Sequence, residues 1–142
     1  MDVEFLTNQE IIQQARKNLE QGPWNYLVGG VESETTMKRN RLAFDKIAFR
    51  PRILVDVSKI DTSVKLLKNK LRIPVILAPM GSLQVFTPKG AADATKAAGD
   101  FGTVHVVSSV TEPSLEEIAE TNKTNKLYQL YIHGDWDWVK DK

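Results

Sequence analysis

Pro74-Val75-Ile76-Leu77-Ala78-Pro79-Met80-Gly81 is the stretch on which the fold turns. Its apolar residues run unbroken instead of alternating with polar ones, the pattern of a strand covered on both faces of a parallel sheet. Proline then ends the run, needing no amide partner, and glycine allows close backbone approach to a flat, large ligand. Downstream, Thr87-Pro88 offers an N-cap and a proline at the first helical position, so an alanine-rich helix is expected from there to Gly99. Thr103-Val104-His105-Val106-Val107 reads as a second strand. Ser114-Leu115-Glu116-Glu117 is a capping box opening a short helix with Leu115, Ile118 and Ala119 turned inward. Leu127 to Ile132 is a third strand, and Asp135 is placed to cap a last helix.

Strand–helix units of roughly 25–30 residues point to a parallel α/β architecture, and eight of them make a barrel of about 250 residues. Three such strands are present, and the chain stops inside a unit at Val139-Lys140-Asp141-Lys142. The expected fold is α/β: an incomplete TIM (β/α)₈ barrel, its first three strands preceded by a helical segment and a β-hairpin. The hairpin is expected over residues 61–73, with Val64-Lys65-Leu66-Leu67, a turn near Lys68-Asn69, then Leu71-Arg72-Ile73.

Residues 1–60 form the entry segment and residues 61–142 the start of the barrel. Thr7-Asn8-Gln9-Glu10 is another capping box, Ile11, Ile12, Ala15 and Leu19 follow at helical spacing, and Gly22-Pro23 is expected to stop that helix. A short aromatic segment, Trp24 to Gly30, comes next, and a third helix from about Thr35 to Lys46. The mixed-charge run Lys38 to Arg52 reads as a helix with a solvated face.

The 142 residues carry 19 basic and 18 acidic side chains, with 42% hydrophobic and 26% charged residues. That balance, a net +1, lacks the clustered basic excess of a nucleic-acid binder. With no cysteine, disulfides, thiolate catalysis and zinc ribbons are excluded. The start Met1-Asp2-Val3-Glu4 is acidic, unlike a secretory signal, and no apolar run approaches the roughly 20 residues of a membrane span. The expectation is a cytoplasmic protein without membrane or nucleic-acid partners. Metal-ligand spacing, a P-loop and GxGxxG do not occur.

In a parallel barrel, chemistry gathers where strands end. Three strand ends carry usable groups: Pro79, Met80 and Gly81; Ser108 and Ser109; and Gln129 with Tyr131, same-face neighbours in an extended strand. Each set has a plain structural alternative: a turn, a loop cap, a satisfied residue of the barrel interior. Tyr128 and Tyr131 are expected on opposite faces. Tyr26, before Gly29-Gly30, is either a core aromatic or a ligand contact. His105 is expected buried and hydrogen-bonded, His133 in a loop, and Trp136 and Trp138 packing a helix onto the barrel.

Taken in order, Tyr26-Leu27-Val28-Gly29-Gly30, Asn40-Arg41 with Ala43-Phe44, Phe49-Arg50-Pro51-Arg52-Ile53-Leu54, Ala78-Pro79, Pro88 with Gly90, Gly102-Thr103, Ser108-Ser109 and Tyr128-Gln129-Leu130-Tyr131 resemble the FMN-dependent 2-hydroxy-acid oxidase and dehydrogenase family. Glycolate oxidase, lactate oxidase and the flavin domain of L-lactate dehydrogenase belong to it, and the resemblance spans nearly the whole chain. It implies that FMN is the cofactor, that a small (S)-2-hydroxy acid is oxidised to the 2-oxo acid, and that the full-length form is a homo-oligomer, often a tetramer. Pro79, Met80 and Gly81 would lie against the flavin, and Ser108 and Gln129 would hydrogen-bond its ring. Tyr26 would meet the substrate carboxylate, and Tyr131 the substrate hydroxyl.

The family's histidine base, arginine clamp, lysine and phosphate site come from later strands, so the chain alone is expected to be inactive and to hold FMN poorly. Gly81 departs from the family's common alanine, leaving a methyl-sized space, and Met80 is bulkier and more apolar than the usual residue. Two other readings stand beside this one. The chain could be a non-catalytic remnant, or an N-terminal half that pairs with a separate C-terminal half-barrel. Alternatively it could be another FMN barrel, such as an isomerase.

Overall fold

The structure, a computed structural model, describes residues 5–142; the acidic start Met1-Asp2-Val3-Glu4 lies outside the described residues. The chain divides into two units, Met1–Lys59 and Ile60–Lys142. The first holds three helices: α1 (Asn8–Asn18), α2 (Gln21–Val28) and α3 (Thr35–Asp45). The Thr7 hydroxyl accepts from the Glu10 amide at 3.3 Å, and the Glu10 carboxylate accepts from the Thr7 amide at 3.3 Å, so the capping box forms. Gly22-Pro23 does not stop α1. That helix ends at Asn18, and both residues fall in the first turn of α2, where a missing amide costs nothing. None of the three helices has a buried residue among those described. The run Lys38 to Arg52 is helical as far as Asp45 and irregular beyond it, with Phe49, and Ile53 and Leu54 just past its end, almost fully exposed.

The second unit opens with an antiparallel hairpin, β1 (Val64–Leu66) and β2 (Asn69–Leu71). Its turn is Leu67-Lys68, one residue earlier than expected. Both residues take positive φ (45° and 69°), the conformation whose twist suits a two-residue hairpin loop, and the Asn69 carboxamide braces the turn by donating to the Leu67 carbonyl.

Two parallel strands follow, β3 (Val106–Ser108) and β4 (Leu127–Gln129), paired in register from Val106 against Leu127 to Ser108 against Gln129. The strand expected at Pro74–Ala78 is reduced to a single parallel bridge between Leu77 and His105. The reason is local: Pro74 has no amide, and the Val75 amide turns back to the Ile73 carbonyl, so ladder bonds begin only at Leu77. The second strand starts later than expected, and the third stops at Gln129 instead of Ile132.

Between these strands lie α4 (Ala91–Phe101) and α5 (Leu115–Glu120), with α6 (Trp136–Asp141) after β4. The helix α4 does not start at Thr87-Pro88. The Thr87 hydroxyl donates to Asp93, its carbonyl accepts from the Gly90 amide in a turn, and helix begins at Ala91. Its end runs to Phe101, capped by Gly102 in the left-handed region.

The core is Ala91, Val107 and Ile118, with Leu83 and Ala92 against it. Of the three α5 residues expected inward, Ile118 is buried and Leu115 and Ala119 are exposed, because six residues make too short a helix to turn a wide face to the sheet. The Ser114 capping box forms, and the Asp135 carboxylate caps α6 by accepting from the Trp138 amide at 3.0 Å. Trp136 stays 69% exposed, so it does not pack α6 onto the sheet; Lys140 lies over its ring instead. No helix of the described residues is long and apolar enough to cross a membrane.

His105 is buried as expected, with Nδ1 2.8 Å from the Thr95 hydroxyl on α4. Burial lowers its pKa below the ordinary 6.5. On acidification the unfolded chain therefore takes up the proton first, and stability present above about pH 6.5 is lost as the pH falls toward the lowered folded value. Asp56 and Asp61 are also held low, by hydrogen bonds from Ser58 and Ser63, but their effect falls below pH 3.8, outside that window. Urea midpoints should drop between about pH 7.5 and about pH 5.5. In His105→Gln that slope should flatten, whatever the variant's absolute stability; an unchanged slope would assign it to another group.

Candidate functional site

The parallel register decides which side chains meet. Ser108 sits directly opposite Gln129, and its hydroxyl donates to the Gln129 carboxamide oxygen at 3.3 Å. The same hydroxyl oxygen accepts from the Val110 amide at 3.3 Å, and only 4% of Ser108 is exposed. With its carbonyl end held by Ser108, the carboxamide has its NH₂ group left to donate to a ligand.

The end of the first strand is brought to the same place. The Ser82 amide donates to the Val110 carbonyl at 2.9 Å, so Gly81 lies beside the Ser108–Val110 loop. A Cβ built on Gly81 would stand 2.8 Å from Val110 Cγ2 and 3.9 Å from the Ser108 hydroxyl. The methyl-sized space expected at Gly81 is therefore not open: Val110 occupies it, and a methyl group there would require that side chain to shift. Pro79 and Met80 precede this contact with exposed side chains, Met80 about half so.

Tyr131 joins the loop by its backbone. The Ser109 amide donates to the Gln129 carbonyl at 3.0 Å, and the Ser109 hydroxyl accepts from the Tyr131 amide at 3.4 Å. Because β4 ends at Gln129, the two-residue alternation does not extend to Tyr131. Tyr128 and Tyr131, expected on opposite faces, both border one depression of about 180 Å³, with Val110, His133 and Trp138 also at its rim. The His133 ring lies 6.3 Å from that of Tyr131 and 6.0 Å, edge-on, from that of Trp138. Tyr26 belongs to the first unit, on α2, and 66% of it is exposed.

The structure thus gathers Gly81, Ser108 and Gln129 at one sheet end, with Tyr131 tied to them through Ser109. Sequence reasoning passed over Val110 and gave Ser109 no separate role, although both organise this end. The signal available was their place directly after a strand ending in Ser108, where loop amides from neighbouring strands must find partners. Among the described residues, no group of histidines and carboxylates is arranged to hold a metal. The donor set suits the polar edge of a planar heterocycle: a carboxamide NH₂ that Ser108 does not engage, exposed apolar Pro79 and Met80, and a glycine where backbone must come close.

Comparison with known proteins gives the same direction. The family described as FMN-dependent dehydrogenase matches residues 15–142. Glycolate oxidase 1 of Oryza sativa subsp. indica is 40% identical over 126 residues, covering 89% of this chain and 34% of its own. Among solved structures, a protein described as a lactate oxidase from Pediococcus acidilactici superposes with a TM-score of 0.90 at 25% identity, covering 99% of this chain and 40% of that one. A soluble mutant of the membrane-associated (S)-mandelate dehydrogenase from Pseudomonas putida gives 0.85 at 29% identity, covering 91% and 37%. The chain spans about a third of the length of the curated relatives it matches.

Proposed function

Because the chain belongs to the FMN-dependent dehydrogenase family, we propose that it is the N-terminal part of a (β/α)₈ flavoenzyme that oxidises a small (S)-2-hydroxy acid to the 2-oxo acid. The observation that carries this reading is the convergence of Gly81, Ser108 and Gln129 at one sheet end. When bound, FMN supplies the acceptor for the two electrons leaving the substrate's α-carbon.

The chain's own residues would hold that cofactor and orient the substrate. The Gln129 NH₂ donates to the ring's polar edge, stabilising negative charge that gathers there on reduction. Ser108, buried and already committed to Gln129 and Val110, keeps the carboxamide from rotating. The Pro79–Gly81 backbone and the exposed Met80 side chain offer a surface for the ring face. Tyr131 would direct a phenol to the substrate hydroxyl, and the family resemblance gives Tyr26, in the first unit, the carboxylate contact. The proton acceptor, the phosphate site and the arginine clamp are assigned to strands outside these 142 residues. A tetrameric full-length form fits the same family reading.

The test is a fusion of this chain to the C-terminal remainder of the rice glycolate oxidase 1. It should bind FMN, turn yellow, and bleach without oxygen on addition of lactate or glycolate, whereas the 142-residue chain alone should not retain flavin through gel filtration. Absence of bleaching by any 2-hydroxy acid removes the activity assignment. Stoichiometric flavin on the isolated chain contradicts the view that later strands hold the phosphate.

A further inference from the structure

We propose that the depression beside Tyr131 receives the substrate's side chain and selects 2-hydroxy acids that carry an uncharged aryl or branched-alkyl group. This deepens the reading above and rests on it. Val110, held against Gly81, sets the size accepted.

Val110 joins the depression to the surface offered to the ring. Its amide donates to the Ser108 hydroxyl and its carbonyl accepts from the Ser82 amide, so its backbone is tied to both loops. Its Cγ2 atom stands 2.8 Å from the place a Cβ on Gly81 would take, and half of the residue is exposed where it lines the depression. A substrate carbon seated against the Pro79–Gly81 backbone, with its hydroxyl toward Tyr131, would meet Val110 next.

The space is large for a small substituent. It measures about 180 Å³, whereas a hydrogen or methyl group fills no more than about one water's share, roughly 30 Å³. A phenyl ring or a branched chain would fill far more of it. The walls are apolar and aromatic: Val110 and Leu130 are aliphatic, and Tyr128, Tyr131, His133 and Trp138 present rings. His133 meets Trp138 edge-on at 6.0 Å and lies tilted to Tyr131 at 6.3 Å, spacings at which aromatic rings pack. Of the lining residues Lys142 alone carries a fixed positive charge. It lies 5.5 Å over the Trp138 ring and 3.6 Å from the Asp141 carboxylate, so a second carboxylate on the substrate would compete for an engaged cation.

Gly81 and Val110 are coupled by their contact. A methyl group at Gly81 would force the Val110 side chain aside, and the room available to it is on its exposed side, in the depression. Glycine at 81 therefore keeps the depression open.

The experiment uses the flavin-loaded fusion with the rice glycolate oxidase 1 remainder, in which every variant shares the same later strands. The readout is kcat/KM for (S)-mandelate divided by kcat/KM for glycolate. Val110→Phe, which fills the depression, should lower this ratio about 30-fold, in the range that pocket size alone achieves. Gly81→Ala should lower it about tenfold, and adding Val110→Ala should restore it, the non-additivity expected of residues in contact. Binding is read separately with phenylacetate, which lacks the hydroxyl and is not oxidised. It should shift the Trp138 indole N–H signal, assigned with Trp138→Phe, whereas acetate should not, and Val110→Phe should abolish the shift.

A ratio that Val110→Phe leaves within about twofold of the parent overturns the proposal. So does a Gly81→Ala loss that Val110→Ala fails to relieve, or a preference for malate over mandelate. The two readings fail separately. A phenylacetate shift that Val110→Phe abolishes, without bleaching by any 2-hydroxy acid, leaves the subsite standing and removes the activity. Bleaching by glycolate with a ratio indifferent to Val110 does the reverse.

Discussion

Gly90→Ala is expected to destabilise the second unit by about 3 kcal/mol or more, enough to leave a marginal domain largely unfolded. Gly90 sits at φ +50°, ψ −128°, a conformation that L side chains rarely adopt. An added Cβ would also press into the Glu112 carbonyl oxygen, which is backbone and cannot swing aside. That carbonyl accepts from the Ala91 amide at 2.8 Å and so starts α4. The variant therefore strains the turn and breaks the docking of α4 onto the loop behind Ser108 and Val110. Gly22→Ala is the control: it lies in the first turn of α2 with nothing within 4 Å of its Cβ, and should be neutral or slightly stabilising. Urea denaturation followed by circular dichroism separates the two. Equal midpoints for both variants would mean that the close approach at Gly90 does not bear on stability.

In the fusion with the rice glycolate oxidase remainder, Tyr131→Phe is expected to slow anaerobic flavin reduction about 100-fold, the usual cost of losing one donor aimed at charge developing in the transition state. Its backbone is held by Ser109, and its ring stays half exposed, so removing one oxygen should not disturb the fold. Tyr128 borders the same depression from inside β4 and is the sensitive comparison. Tyr128→Phe should change the rate less than twofold. A larger loss from Tyr128→Phe than from Tyr131→Phe would hand the role to the other phenol, and equal small losses would take both rings out of the reaction.

How much of this was legible beforehand follows the range of the interaction concerned. The capping boxes at Thr7 and Ser114 are each closed by residues three apart, so four letters of sequence suffice to read them. The hairpin was legible for the same reason, apart from the one-residue shift of its turn onto Leu67-Lys68. The burial of His105 followed from its place among apolar strand residues.

Three misreadings involve partners far along the chain. Thr87-Pro88 is a sound local helix start, but the start used is Ala91, because the Glu112 carbonyl twenty-one residues later takes its amide. The space read at Gly81 is filled by Val110 from the next strand's loop. Tyr128 and Tyr131 share a depression because β4 stops at Gln129, where pairing with β3 ends.

The sequence by itself determined the alternation of strand and helix and the identity of the polar groups at the strand ends, since apolar periodicity, caps and turn residues act over a few positions. Tertiary structure alone decided which of those groups meet. Ser108 reaches Gln129 because the parallel register sets them opposite, and Gly81 reaches Val110 because two loops close over the same sheet end. Register is a choice among backbone pairings distant in sequence, made by the packing of Val107 against Ala91 and Ile118, and no short stretch of residues contains that choice.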